Sequence, residues 1–590
     1  MDKKSAVVAI LCLSLIFSYV ILRAIYVPLT IDEAITYFSF VVQDSWLPTE
    51  NTTNANNHIL NTGLTIISER YFGNSELALR LPNVIGFICY AIYAFLWSKW
   101  KEQDGISFSI LIGLTSSHFL LELFGLCRGY GLSMAFLLGS WYHLYNWWCK
   151  HSLSQLIAFL ILSNLAVLAN LALLVPIIVS FVIALCSNMS NTNSRRKTGL
   201  LASMLALLPL TVLISYALRL KEGGHLYYGS DTGFWSTTIE SLVSLIFRPW
   251  DSFTFIVPAA TCILMVFGVY RWLRSSTLFW KNPLPVLVLL VFGSATGLVL
   301  LNIVFGVNYP EDRVGLYFLP LFVLAVGVSF QSNTDRIWGM LLKIPLALIW
   351  LLPLNSIATM NLGYTRLWKW NSNAKSFYTN VVELKGGSYA EPIIAGGTLD
   401  SYTYDYYNLR NNCAVHSMQD HISNFDIADL QYGFEEGSLN KEEYDTISHH
   451  ISSNRFLLAN KSARIHTTFK KSESKWVDTK DEYLGIVELL IDTLAAEDLI
   501  FEYEVTVSCS SPPLRAWIVL DITDKEGRGV YYLKHQLEHF GKSINNLGTL
   551  ENSFVLPKNP SSFSAKLYIW NIEHASIQVE AKSKVSLLLD

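Results

Sequence analysis

Ile31-Asp32-Glu33-Ala34-Ile35-Thr36-Tyr37 follows directly on an apolar run that extends from about residue 5 to residue 27. A run of that length crosses a bilayer as one helix. Two adjacent carboxylates, Asp32 and Glu33, therefore stand where the chain leaves the hydrocarbon. Ionisable groups at that depth are costly to desolvate, which marks them as functional candidates. The opening Met1-Asp2-Lys3-Lys4 has the charge of a signal peptide. No small-x-small cleavage site follows, so the run reads as an uncleaved first helix.

The rest of the chain has the same character. Of its 590 residues 52% are hydrophobic and only 15% charged, where a soluble protein carries about a quarter charged residues. Aromatics reach 13%, as expected where Trp and Tyr line membrane interfaces. The net charge of −4 gives no reason to expect a nucleic-acid partner. Apolar runs near 5–27, 84–99, 106–122, 129–148, 152–169, 171–187, 199–218, 253–273, 284–305, 314–331 and 337–358 predict about eleven spanning helices. The expected fold is thus a polytopic α-helical membrane protein.

Charge sets the expected orientation. With the amino terminus cytoplasmic, inner turns carry Lys99, Lys101, Lys150, Arg195, Arg196, Lys197, Arg271, Arg274, Lys281 and Arg336, and short basic loops belong inside. An odd number of spans then places the tail from about 360 outside. On that same outer side fall Asp32, Glu33, His58, Arg80, Arg128, His225 and Arg313, far apart in sequence. The compact basic turns suit a bacterial plasma membrane.

Three regions are expected: a membrane domain over 1–359 with a first outer loop at 28–83, a mixed α/β extracytoplasmic region over 360–475, and a β-sandwich over 476–590. In the last, Phe501–Val507, Ala516–Ile522, Gly529–Leu533, Ala565–Ile572 and Ile577–Leu589 alternate or run apolar between Gly, Pro and Asn turns, as strands of a sandwich do. It is either a structural cap or a jelly-roll carbohydrate-binding module stacking sugars on Trp517, Tyr531, Tyr532 or Trp570. None of the eight cysteines has Cys-x-x-Cys spacing. Cys413 and Cys509, both in the tail, could pair if the tail faces an oxidising compartment.

Among candidate chemical groups Asp32 suits a general base, and the bland alternative is a helix cap. Glu33 could orient an acceptor, pair with an arginine or help bind a divalent cation. Arg128, in Leu121-Glu122-Leu123-Phe124-Gly125-Leu126-Cys127-Arg128-Gly129-Tyr130, could grip a phosphate bidentately. Otherwise it snorkels to headgroups or pairs with Glu122. Arg313 presents the same choice. Glu76 and Arg80 look loop-structuring, and His58 and His225 are candidates for substrate or metal contact. Nucleotide-binding fingerprints are missing from the sequence. An outward-facing site has no access to cytosolic nucleotide sugars, and a polyprenyl-phosphate sugar would reach it.

Asp32-Glu33 after the first helix, Gly73-Asn74-Ser75-Glu76 with Arg80-Leu81-Pro82, and Glu122 to Tyr130 with its Arg-x-Tyr resemble the C-type glycosyltransferase superfamily. The nearest branch contains the protein O-mannosyltransferases and lipid A aminoarabinose transferases, and the resemblance covers roughly residues 1–330. Asn308–Pro320 resembles a late-loop element of bacterial members. The resemblance implies a lipid-phosphate-linked sugar donor and inversion at the anomeric carbon. It further implies Asp32 at the acidic catalytic position with Glu33 its partner, and Arg128 as a donor-phosphate ligand. His58 and Arg313 match less closely. The tail departs from the mannosyltransferases' lumenal insert, which leaves a glycan, a lipid or a protein as acceptor. The rival class is a transporter or flippase of a lipid-linked or anionic substrate, which predicts matched, broken helices in two halves; no such symmetry is visible.

Overall fold

The computed structural model describes residues 3–48, 54–99, 104–150, 152–188, 193–226, 228–247, 253–274, 283–330, 336–387, 392–419, 428–434, 443–461, 465–473, 477–491, 498–509, 516–537, 548–556, 563–572 and 574–589. Lys101 and Lys281 of the expected inner turns lie outside the described residues. The chain forms two compact units. One comprises Met1–Tyr26 and Trp46–Leu362, the other Val27–Ser45 and Gly363–Asp590.

The first unit is helical. Among the described residues seven helices are long and apolar enough to cross a membrane: Lys3–Tyr26, Glu76–Ser98, Ala202–Glu222, Phe253–Leu273, Leu284–Phe305, Asp312–Ser329 and Ile337–Thr359. A bent pair, Gly105–Thr115 with His118–Phe124, makes an eighth if it counts as one span. The expected eleven is not confirmed, and at two places the apolar runs divide for local reasons. Ser116 and Ser117 break the third apolar run, and the two halves meet at 55°. Asn170 divides 153–187, its side chain accepting from the Ala172 amide at 3.2 Å to start a new turn. Two shorter apolar helices result, Leu153–Ala169 and Leu171–Cys186.

The stretch 28–83 is not one loop either. With α1 at Lys3–Tyr26, it holds α2 (Ile31–Thr36) and α3 (Ile59–Phe72), and α4 begins at Glu76 and runs to Ser98. Ser75 caps α4 by accepting from the Ala78 amide at 3.3 Å, which is why that helix starts well before the apolar run. After α4 come α5 (Asp104–Thr115), α6 (His118–Phe124), α7 (Gly129–Lys150) and α8 (Leu153–Ala169). Two buried arginines pin these helices. Arg80 of α4 donates to the Ala24 carbonyl of α1 at 3.3 Å. Arg23 of α1 pairs with Glu122 of α6 at 3.1 Å.

The second unit carries two β assemblies. A four-stranded sheet has the order β1-β2-β4-β3, with β1 at Ile394–Ala395, β2 at Leu430–Phe434, β3 at Tyr444–His450 and β4 at Arg455–Asn460. Beside it Arg455 forms a buried ion pair with Asp400. The remaining strands are β5 (Ile465–Glu473), β6 (Val477–Thr479), β7 (Tyr483–Ile491), β8 (Asp498–Cys509), β9 (Ala516–Asp524), β10 (Gly529–Gln536), β11 (Gly548–Leu556), β12 (Phe563–Asn571) and β13 (Ile577–Leu589). They pair as β10-β9-β12-β7 and β11-β8-β13-β5, with β6 on β13. All these pairings are antiparallel, and the interleaved order is that of an eight-stranded jelly roll with one short extra strand.

Its core lies between the sheets. Ile518, Leu520, Ile522, Leu567 and Ile569 of one meet Phe501, Tyr503, Val505, Val579 and Phe554 of the other, as period-two alternation requires. Tyr531 packs against this core, which removes it from the sugar-stacking candidates. Cys413 packs there too, and no disulfide joins it to Cys509, so the possible pairing is not made.

Candidate functional site

Asp32 and Glu33 lie in the second unit, on the six-residue α2. Thr30 is the cap. Its hydroxyl accepts from the Glu33 amide at 3.4 Å, and the Glu33 carboxylate accepts from the Thr30 amide at 2.9 Å and its hydroxyl at 3.1 Å. This reciprocal capping box leaves the Glu33 side chain 0% exposed. Glu33 therefore helps to hold the turn, and the cap weighed for Asp32 falls to Thr30. Asp32, at the second helical position, is half-buried.

The surrounding turn is anchored from the far end of the chain. The Leu29 amide donates to the Tyr407 hydroxyl at 2.9 Å and the Ile31 amide to Asn371 Oδ1 at 3.1 Å. Tyr37 packs edge-on against Tyr406, with centroids 5.5 Å apart. Tyr406 and Tyr407 belong to the helix Thr398–Arg410.

A cationic cluster stands in the first unit. Arg128 and Arg313 both lie over the ring of Tyr130, their guanidinium carbons 5.9 and 5.5 Å from its centroid. Arg128 is 2% exposed and donates to the Asn56 carbonyl at 3.0 Å. Arg313 is half-buried, donating from Nε to the Tyr130 hydroxyl and from Nη1 to the Tyr228 hydroxyl, each at 2.9 Å. Asp312 accepts from the Tyr228 hydroxyl at 3.2 Å.

His58 completes the cluster. Its ring meets Tyr130 edge-on at 4.8 Å, and its Nδ1 lies 2.9 Å from the Ala169 carbonyl oxygen. A carbonyl only accepts, so Nδ1 carries the proton. Burial first, and then the Arg128 charge, hold the imidazole pKa well below its ordinary value, so the ring is neutral at physiological pH. Its Nε2 is a buried acceptor with no hydrogen-bond partner among the described residues.

Two glycines make this packing possible. A Cβ on Gly129 would lie 1.9 Å from the Ala169 oxygen and 2.8 Å from His58 Nδ1. Gly129→Ala is expected to force α7 and α8 apart and displace His58. The measurement is the thermal unfolding midpoint in detergent, which should fall by several degrees, since overpacking costs about 1–3 kcal/mol; an unchanged midpoint would mean the contact is looser than drawn. Gly229, at φ +97°, lets its backbone approach Tyr309, whose oxygen would be 2.1 Å from a Cβ there. That approach stitches the late loop to the one before it. Tyr309 donates to the Ser230 carbonyl at 2.9 Å, Thr238 to the Pro310 carbonyl at 2.6 Å and the Asp312 amide to the Ser241 hydroxyl at 2.9 Å. Arg313 is fixed by these links.

The structure thus brings His58, Arg128 and Arg313 together. His225 stands apart: its amide donates to Leu220 at the end of a helix, and its ring has no hydrogen-bond partner among the described residues. Glu76 and Arg80 are buried in the first turns of α4. Tyr130 and Tyr228, which organise the two guanidiniums, were not singled out by sequence reading. The Arg-x-Tyr spacing was the available signal for Tyr130. Among the described residues no group of three or more His, Cys, Asp or Glu side chains is placed to hold a metal ion.

No family model and no curated protein matches the sequence. Among solved structures the chain is similar to ArnT from Cupriavidus metallidurans bound to undecaprenyl phosphate, at 12% identity and a TM-score of 0.39 over 78% of this chain and 99% of that one. The apo state of ArnT from the same organism gives 11% identity, a TM-score of 0.39, and coverage of 77% and 98%. The arabinosyltransferase EmbB from Mycobacterium smegmatis gives 9% identity and a TM-score of 0.34 over 98% of this chain and 64% of that one.

Proposed function

We propose that this chain is an integral-membrane glycosyltransferase that moves a sugar from a polyprenyl-phosphate donor to an extracytoplasmic glycan, lipid or protein acceptor, with inversion. The observation that carries the reading is the pair of guanidiniums, Arg128 and Arg313, gathered on one tyrosine beside a neutral histidine at the ends of apolar helices. Two cations held this way match a phosphate on a lipid. Asp32 takes the proton of the acceptor hydroxyl. The freed oxygen forms a bond to the anomeric carbon, the bond from that carbon to the phosphate oxygen breaks, and polyprenyl phosphate leaves with the electron pair. A phosphate is a good leaving group, so the chemistry needs one base and a means of stabilising the growing negative charge. Glu33 positions Asp32 through the capping box.

The orientation that serves this reaction has the amino terminus in the cytoplasm and the second unit outside, as the basic turns favour. The test is a panel of polyprenyl phosphates, each radiolabelled in its sugar, supplied to membranes with and without the overexpressed chain and with cell-envelope acceptors. Label leaving one donor only where the chain is present is the expected result. Stable label on every donor, with the chain folded and inserted, overturns the transferase reading and favours transport.

A further inference from the structure

We propose that Arg455 is a positioning residue for Asp32, a role that rests on the reading of Asp32 as the base. Its guanidinium fixes both of the supports from which the Asp32 turn hangs. Every residue concerned belongs to the second unit. Arg455 opens β4 and is buried, as is the carboxylate it pairs with.

One support is the helix Thr398–Arg410. Arg455 Nη1 donates to the Asp400 carboxylate in the first turn of that helix. Gly397 leaves room for the pair, since a Cβ there would lie 3.1 Å from Asp400 Oδ2. About two turns further on, Tyr406 meets Tyr37 and the Tyr407 hydroxyl accepts from the Leu29 amide. The other support is the segment Asn371–Asn373. The Arg455 guanidinium carbon stands 5.1 Å from the Tyr432 ring centroid, and the Tyr432 hydroxyl donates to Asn373 Oδ1 at 2.8 Å. Ser453, in the turn that leads into β4, donates to the same oxygen at 3.2 Å. Phe377 stacks on Tyr432 with centroids 3.9 Å apart, which leaves that ring little freedom. Asn371, at the other end of the segment, accepts from the Ile31 amide.

A helix of six residues, such as the one that carries Asp32, is too short to be stable by itself. Its orientation therefore comes from bonds outside it, and the two at the Leu29 and Ile31 amides both trace back to Arg455. A buried ion pair adds little net stability, because desolvating two charges offsets their attraction. What the pair supplies is direction. The planar guanidinium donates along set lines to the carboxylate and lies over the Tyr432 ring. Without it both supports are free to turn, and a catalytic group displaced by ~1 Å loses ~10²-fold in rate.

The test combines hydrogen exchange on the detergent-purified full chain with transfer kinetics in membranes. Arg455→Met made together with Asp400→Leu removes both charges and leaves no unpaired ion, so this variant should unfold at or above the wild-type temperature. Its amides over 29–36 should exchange ~10-fold faster, while those of β8, β9 and β12 keep their rates. Transfer should fall ~10–10²-fold in kcat with the donor KM unchanged, because Arg128 and Arg313 are untouched. Arg455→Lys alone keeps the charge opposite Asp400 and should recover part of both losses. In an Asp32→Asn background the paired change should cost nothing further, since the base it positions is already gone. Unchanged exchange over 29–36, an unchanged kcat, or a full further loss in the Asp32→Asn background overturns the proposal. Full transfer by Asp32→Asn overturns the base reading and with it the catalytic meaning of the contact; the exchange rates still decide whether Arg455 fixes the turn.

Discussion

Asp32→Asn is expected to lower sugar transfer by ~10²–10⁴-fold, the usual contribution of a positioned general base, without unfolding the chain. Asparagine has the shape of aspartate, and the turn that carries residue 32 is held by other groups. The Thr30 and Glu33 side chains close the capping box, and Asn371 and Tyr407 hold the two amides in front of it. Transfer of radiolabel from lipid-linked donor in membranes, with the thermal midpoint as the check on folding, decides the point. Full transfer by folded Asp32→Asn would move the base elsewhere. Glu33→Gln makes the contrast. It weakens the acceptor for both the Thr30 amide and the Thr30 hydroxyl, so its damage should appear in stability as well as in rate.

Arg313→Ala and Arg128→Ala should each cost ~10²–10³-fold in transfer, the scale seen when a preorganised charge is removed from a developing anion. The two differ in what else they disturb. Arg128 also holds the Asn56 carbonyl, so its loss loosens the approach to His58. Arg313 donates outward to Tyr130 and Tyr228, so its loss should leave the helices in place. Lysine keeps the charge but loses the planar fork. Arg313→Lys is therefore expected to recover part of the activity, chiefly by restoring donor affinity. Kinetics over a range of donor concentrations reads this directly. If Arg313→Ala turned over donor at the wild-type rate and affinity, the guanidinium would be a structural tie to the two tyrosines. His58 refuses its proton in the folded state because burial and Arg128 both oppose it. The transfer rate should accordingly show no limb near the ordinary imidazole value of about 6.5.

Much of this architecture was legible from the order of residues. Apolar length announced the helical part, and alternation announced β8, β9, β10, β12 and β13. What escaped has physical causes. The β11 strand contains Glu551-Asn552-Ser553, too polar to read as a core strand. The structure buries Asn552 and Ser553 because the Ser417 amide donates to Asn552 Oδ1 and Gln419 donates to the Ser553 carbonyl. Alternation measures water contact, and it is blind to a polar face matched by another part of the chain. The apolar runs did not show where small polar residues, Ser116, Ser117 and Asn170, end helices inside them. At the candidate site charge was visible but partnership was not. Glu122 lies near Arg128 in sequence, and it also pairs with Arg23, ninety-nine residues away.

The excursion of Val27–Ser45 into the second unit gives the protein a built-in order of assembly. The polypeptide passes from one unit to the other after residue 26, back after 45 and across again after 362. The partners of Ile31 and Leu29 lie 340 and 378 residues downstream. At ~5–20 residues per second of synthesis, the stretch bearing Asp32 emerges and then waits on the order of tens of seconds for the residues that fix it. Until Asn371 and Tyr407 emerge, the turn that carries Asp32 lacks these two anchors. The turn is thus completed only after Asn371 and Tyr407 have been made.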